Sequence, residues 1–233
     1  ISTYLYQELT IGMLTELYRQ IDINSKLNHP AIFNYFGFSP INFKNIPKPT
    51  ILLEEYSSNM SLMEQLYDKN GNSISRLNDT QKLITIYGIA SGMSYLHLHN
   101  IIHRDLKPEN IYFDSSFHPK ITGFDISIEI PPNSDKNDSI KGTKLKGTIE
   151  YLSPEVLSSL EYSKSSDVYA FSLVVYQIVT NQKVFTNFNK VNELIKSIIE
   201  NEERPKFEGQ ISEAYQNLIE QCWSQDPSKR PTF

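Results

Sequence analysis

Apolar side chains recur at helical spacing near the start of the chain. Leu9, Met13, Leu17, Ile21 and Leu27 predict an amphipathic helix over residues 7–27. Asn28-His29-Pro30 ends it, because proline disfavours the helical conformation in the residue before it. Two extended runs follow at 31–38 and 50–56, joined by a Pro- and Asn-containing loop at 39–49. Ser57-Ser58-Asn59 reads as a linker into a short helix at 61–67. Asp79 or Thr80 is the expected N-cap of a longer helix reaching about Leu98. Its expected buried stripe is Leu83, Ile86, Tyr87, Ala90, Met93 and Leu96. Residues 111–113 and 119–122 form a predicted hairpin. Residues 129–146 are polar and without periodicity, the composition of a mobile loop. Ser166 or Asp167 is then expected to cap a helix at 168–180 that is apolar nearly all round and therefore central to the core. Amphipathic helices near 190–201 and 212–223 complete the chain. Strands first and helices after predict an α+β arrangement in which a small sheet leads into a larger helical part.

Composition narrows the class. At 233 residues the chain can bury a sizeable core. Its net charge of -5 offers no general attraction for nucleic acid or anionic membrane. No window approaches the roughly 20 apolar residues that a membrane span needs. The single cysteine, Cys222, excludes an internal disulfide and a Cys-based zinc cluster, so a reducing, cytoplasmic setting is expected. The chain opens on Ile1 rather than methionine, without a secretory profile, and is expected to be part of something longer.

The candidate chemistry is concentrated in His103-Arg104-Asp105-Leu106-Lys107-Pro108-Glu109-Asn110. Asp105 can orient a hydroxyl and accept its proton, Lys107 can neutralise a transferring phosphate, and Asn110 can hold a divalent ion. A lone His-Arg-Asp would be an ordinary charged turn. The whole string, however, resembles the catalytic loop of protein kinases, H-R-D-L-x-x-x-N. Further landmarks follow in the family's order. Gly147-Thr148 precedes Tyr151-Leu152-Ser153-Pro154-Glu155, then come Asp167-Val168-Tyr169-Ala170-Phe171-Ser172 and Cys222-Trp223 through Arg230-Pro231. Together they resemble a tyrosine-kinase-like protein kinase domain with a serine/threonine-type catalytic loop. The resemblance implies a two-lobed fold, with 1–56 as a partial upper lobe and 57–233 as the lower one. It further implies Asp105, Lys107 and Thr148 as catalytic residues, ATP and Mg2+ as cofactors, and a protein substrate or partner. Asp167 is then expected to hold the backbone of the catalytic loop, and Glu155 to pair with Arg230.

Several positions depart from the family pattern. The metal-binding D-F-G is replaced by Gly123-Phe124-Asp125, so a hydrogen stands where the metal carboxylate is expected. Asp125 lies two residues on, over 6 Å away by the rise of ~3.3 Å per extended residue, and does not replace that carboxylate. The ion-pairing glutamate of the first helix falls at Gln20, which cannot neutralise a lysine. Its lysine is missing as well, since Tyr4-Leu5-Tyr6 stands in that region and the first lysine is Lys26. Glu16, brought inward by a register slip, would still lack a partner. No G-x-G occurs. Aligning Glu54-Glu55-Tyr56-Ser57 to the nucleotide hinge makes Glu54, Glu55 and Ser57 candidate nucleotide contacts and puts a carboxylate at the gatekeeper position. Tyr112 takes the place of the leucine beneath the adenine, and Asn24 puts an amide into the apolar spine. The small sheet, with two strands, is expected to expose its edges.

Two functional expectations result. One is a pseudokinase acting as scaffold or allosteric partner; the other is an active serine/threonine kinase with metal held through Asn110. Ser134, Ser139 and Thr143 are candidate phosphorylation sites whose phosphate would pair with Arg104.

Overall fold

The computed structural model describes residues 2–3, 11–39, 50–53, 60–74, 76–131 and 139–233. A strand, β1 (Ser2–Thr3), precedes helix α1 (Ile11–Lys26). Strands β2 (Tyr35–Ser39) and β3 (Thr50–Leu53) follow. The three strands form an antiparallel sheet in the order β1-β3-β2. The sequence reading of two strands therefore missed β1, and one edge expected to lie open is paired. The run at 31–38 also starts later than expected. Pro30 and Ala31 form a turn, and Ile32 makes an isolated bridge to Ile121 that ties this sheet's approach to the helical part.

Helix α2 (Leu62–Leu66) starts at Ser61, whose hydroxyl accepts the Glu64 N–H while Glu64 accepts the Ser61 N–H. Helix α3 (Asp79–Leu98) uses the same reciprocal arrangement with Asn78 and Gln81. The cap is thus Asn78, one residue before the expected Asp79. The buried face of α3 also differs from expectation. Thr85, Ile86, Ile89, Met93 and Leu96 are buried, whereas Leu83 is 56% and Tyr87 74% exposed. The helix turns 3.6 residues per revolution, so the stripe through 86, 89, 93 and 96 leaves 83 and 87 on the opposite side.

Strand β4 (Ile101–Ile102) leads into the catalytic-loop motif, and β5 (Ile111–Phe113) leaves it to pair with β6 (Pro119–Ile121). A 3-10 turn at Phe124–Ile126 precedes β7 (Ile128–Glu129), which pairs with β4. Residues 139–146, expected to be structureless, include β8 (Ile140–Lys141). Helix α4 (Pro154–Ser159) is followed by β9 (Glu161–Tyr162), the partner of β8. Helix α5 (Lys164–Thr180) is capped by Ser163, not by Ser166 or Asp167, and is buried along almost its whole length. Helices α6 (Val191–Glu200) and α7 (Glu213–Cys222) complete the fold.

The main core gathers apolar residues of α3, α5, α6 and α7 with those of α2, β5 and β6. A buried guanidinium crosses its edge. Arg230 is fully buried and meets Glu155 through two parallel bonds of 2.7 and 2.9 Å, while also donating to the Ser165 and Ser224 carbonyls. That bidentate geometry satisfies charge and hydrogen bonding together, which a buried pair needs in order to offset desolvation. No helix among the described residues is long and apolar enough to cross a membrane.

Candidate active site

The catalytic-loop motif is held from below by α5. Asp167, 1% exposed, accepts the main-chain N–H of His103 at 2.8 Å and of Arg104 at 2.9 Å. His97 of α3 meets the same carboxylate at 2.9 Å. These contacts fix a turn in which Arg104 takes a positive φ of 68°, a conformation an arginine holds only when its surroundings impose it. His103 is completely buried and packs edge-on to Phe124, and burial lowers its pKa. Arg104 is 9% exposed, and burial lowers its guanidinium to about 10. Its Nε donates to the Ile126 carbonyl at 2.6 Å, and its guanidinium lies over the Tyr162 ring. A phosphate on Ser139 or Thr143 would have to draw Arg104 out of this packing. Ser134 lies outside the described residues.

Four sequence-predicted residues converge above this turn. Thr148 donates from its N–H at 3.1 Å and from Oγ1 at 2.8 Å to Asp105 Oδ1. Lys107 Nζ donates to Thr148 Oγ1 at 2.7 Å and stands 3.1 Å from Asp105 Oδ2. Asn110 Nδ2 donates to the Asp105 carbonyl at 2.7 Å and to Oδ2 at 3.0 Å. A carboxylate has roughly four lone-pair sites, and here four donors meet Asp105. A substrate hydroxyl approaching Asp105 therefore has to displace one of them.

The metal side is different. Gly123 has φ 86°, in the left-handed region, and a Cβ added there would lie 2.5 Å from Asn110 Nδ2 and 2.6 Å from its Cγ. The space a metal carboxylate would start from is filled by the Asn110 side chain, whose amide is committed to Asp105. Among the described residues, no group of three or more His, Cys, Asp or Glu is placed to hold a metal ion. The residues present do not fit Mg2+ as they stand.

Gln20 and Asn24 both turn inward on α1, at 4% and 3% exposure, whereas Glu16 is exposed. Asn24 resolves its misfit locally, its Nδ2 donating to the Gln20 carbonyl at 2.8 Å. Glu16 faces outward and meets Lys146 at 2.5 Å, a partner that the sequence reading did not foresee. Gln20 Nε2 donates to Asp125 Oδ1. Burial raises the Asp125 pKa, the Gln20 bond opposes the rise, and the nearby Asp105 adds to it. Sequence reading flagged Gln20 and Asp125 separately and missed that they meet, since 105 residues separate them. Tyr112 is half-buried beside Phe33, with ring centroids 5.9 Å apart. The hinge candidates Glu54, Glu55 and Ser57, and the Tyr4-Leu5-Tyr6 region, lie outside the described residues.

A turn pinned by a buried aspartate, presenting a carboxylate, an ammonium and an amide braced by a threonine from a distant segment, defines the kinase class of site. The sequence matches the protein kinase domain family over residues 6–233, and the chain belongs to that family. It is 32% identical over 222 residues to the probable serine/threonine-protein kinase drkC of Dictyostelium discoideum, covering 94% of this chain and 28% of that protein. It is 28% identical over 229 residues to the serine/threonine-protein kinase CTR1 of Arabidopsis thaliana, covering 97% of this chain and 26% of that protein. With the Arabidopsis serine/threonine-protein kinase VIK it shares 30% identity over 226 residues, 95% of this chain and 49% of VIK. The chain thus spans about half or less of the length of these relatives.

Proposed function

We propose that this domain keeps the part of a serine/threonine kinase site that handles a protein hydroxyl and has lost most of the part that holds Mg-ATP. Its role is then that of a pseudokinase, a scaffold or allosteric partner for another protein inside the cell. Gly123 carries the reading: it supplies no carboxylate, and its position is closed to one by Asn110. Phosphate transfer depends on positioning and charge neutralisation, so the loss falls where the chemistry is most sensitive. Removing one preorganised charge costs ~2.7–4 kcal/mol of barrier, about a hundred- to thousandfold in rate. The glutamate of the family's ion pair is missing here as well, and the two losses together cost more than either alone.

A second reading is favoured by one observation. Asp105, Lys107, Thr148 and Asn110 are assembled with every bond in place, the arrangement a serine/threonine kinase needs at its acceptor hydroxyl. For activity, Asn110 would have to leave Asp105 and turn its oxygen towards a metal. Melting temperature, measured with and without ATP and each with and without magnesium, separates the readings. An absence of shift supports the pseudokinase, and a magnesium-dependent rise supports the active kinase. Where nucleotide binds, phosphate transfer by wild type and Asp105→Asn decides: equal background supports the scaffold, and a loss specific to the variant overturns it.

A further inference from the structure

Two positions at which this chain departs from its family touch each other. Gln20 stands where the resemblance places an acidic residue, and Asp125 where it places a glycine. Gln20 Nε2 donates to Asp125 Oδ1, and the neighbouring Arg19 donates to the Asp125 carbonyl at 3.0 Å. Further contacts join the same two segments on either side. Glu16 meets Lys146 at 2.5 Å, and Lys26 meets Glu129 at 2.9 Å. One helix is thereby fastened along its length to the segment that follows the catalytic loop.

The outer ion pairs are exposed on at least one partner and contribute little, since such pairs are typically worth under ~1 kcal/mol. The inner contact is different at one end, because Gln20 is almost completely buried although its partner Asp125 is exposed. A lost hydrogen bond costs most where water cannot replace it.

We propose that Gln20 and Asp125 are a matched pair that holds α1 against the turn at Phe124–Ile126 without the family's strand lysine, a nucleotide or a metal ion. Each residue makes sense through the other. A glutamate at 20 would set two carboxylates against each other in a space that already holds Asp105 nearby. A glycine at 125 would remove the acceptor that the Gln20 amide now uses. The pair needs one donor and one acceptor and no cation from the sheet. The docked position of α1 is therefore built into the folded chain and is not something ligand binding has to produce.

A donor–acceptor swap tests this on the full chain, by denaturant unfolding without nucleotide. Gln20→Glu is expected to lower the folding equilibrium constant about tenfold or more, within the range measured for directly contacting residues. Asp125→Asn retains an acceptor oxygen and is expected to change that constant by less than about threefold, as peripheral substitutions do. The double variant, Gln20→Glu with Asp125→Asn, reverses the bond: the amide now at position 125 donates to the carboxylate now at position 20, and most of the loss is recovered. Hydrogen exchange in α1 follows the same order, fast in Gln20→Glu and slowed again in the double variant. If Gln20→Glu does not fold, a folded double variant still demonstrates the pairing. Additive effects, or a double variant no better than Gln20→Glu, overturn it. No phosphate transfer enters the experiment, so its outcome is independent of whether the domain is an active kinase.

Discussion

Restoring the family's metal carboxylate, Gly123→Asp, should damage the protein before it can help it. Gly123 sits at φ 86°, where a side chain costs ~1–2 kcal/mol. The new Cβ would overlap Asn110 at 2.5–2.6 Å and displace its amide from Asp105. That breaks one bond to a carbonyl, worth ~0.5–1.5 kcal/mol, and one to a carboxylate, worth ~1.5–3 kcal/mol. Solvent replaces part of both at this half-buried site, leaving a net loss of about 2–4 kcal/mol. For a chain of this size each kcal/mol moves the melting temperature by ~2–4 °C, so a fall of roughly 4–16 °C is expected. Gly123→Ala separates the causes, since it carries the backbone strain and the Cβ overlap without the charge. Thermal and urea unfolding are measured with and without magnesium. A Gly123→Asp variant as stable as wild type, or one stabilised by magnesium, would refute the reasoning that Asn110 has closed the site.

Four further outcomes follow from the geometry. Glu155→Ala removes the carboxylate that meets the fully buried Arg230 and should cost ~3–5 kcal/mol in urea unfolding; a loss below about 1 kcal/mol would argue against that pairing. His29 accepts the Ala31 N–H on Nδ1, and burial, aided by Lys120, lowers its pKa. Its neutral form therefore stabilises the fold above the unfolded pKa of about 6.5, and that contribution is lost as pH falls through the lower folded value. The urea midpoint of wild type should accordingly drop more between pH ~7.5 and ~5.5 than that of His29→Asn, which keeps an acceptor but does not titrate. Tyr87→Ser, on the exposed side of α3, should stay within about 0.5 kcal/mol of wild type. Met93→Ala on the buried side should cost ~2–5 kcal/mol, and the reverse ranking would mean that the helix faces are assigned wrongly.

Much of the site is legible along the chain because its residues are close in sequence. Asp105, Lys107 and Asn110 lie within six positions, and a turn brings them together whatever surrounds it. Thr148 lies 43 residues from Asp105, and only its place in a motif order pointed to it. The misreadings have local causes. Leu83 and Tyr87 are apolar, as a buried stripe should be, yet α3 has more apolar residues than its neighbours can cover, and the packing partners choose the face. Asn78 displaced Asp79 as the cap because Gln81 stands three residues later and closes the reciprocal bond. β1 has two residues and no period of its own, so it becomes a strand only when β3 pairs with it.

By itself, the sequence determined the family, the element order through most of the helical part, and that a glycine stands at 123. The family came from the resemblance of ordered motifs, and the element order from local periodicity and capping residues. The tertiary structure decided what the departures do. It showed Asn110 filling the space above Gly123, Glu16 reaching Lys146, and Gln20 finding Asp125. Each is a contact between segments separated along the chain, made by short-range forces that act only once folding has brought the atoms within a few ångströms. No pattern along the sequence encodes that distance.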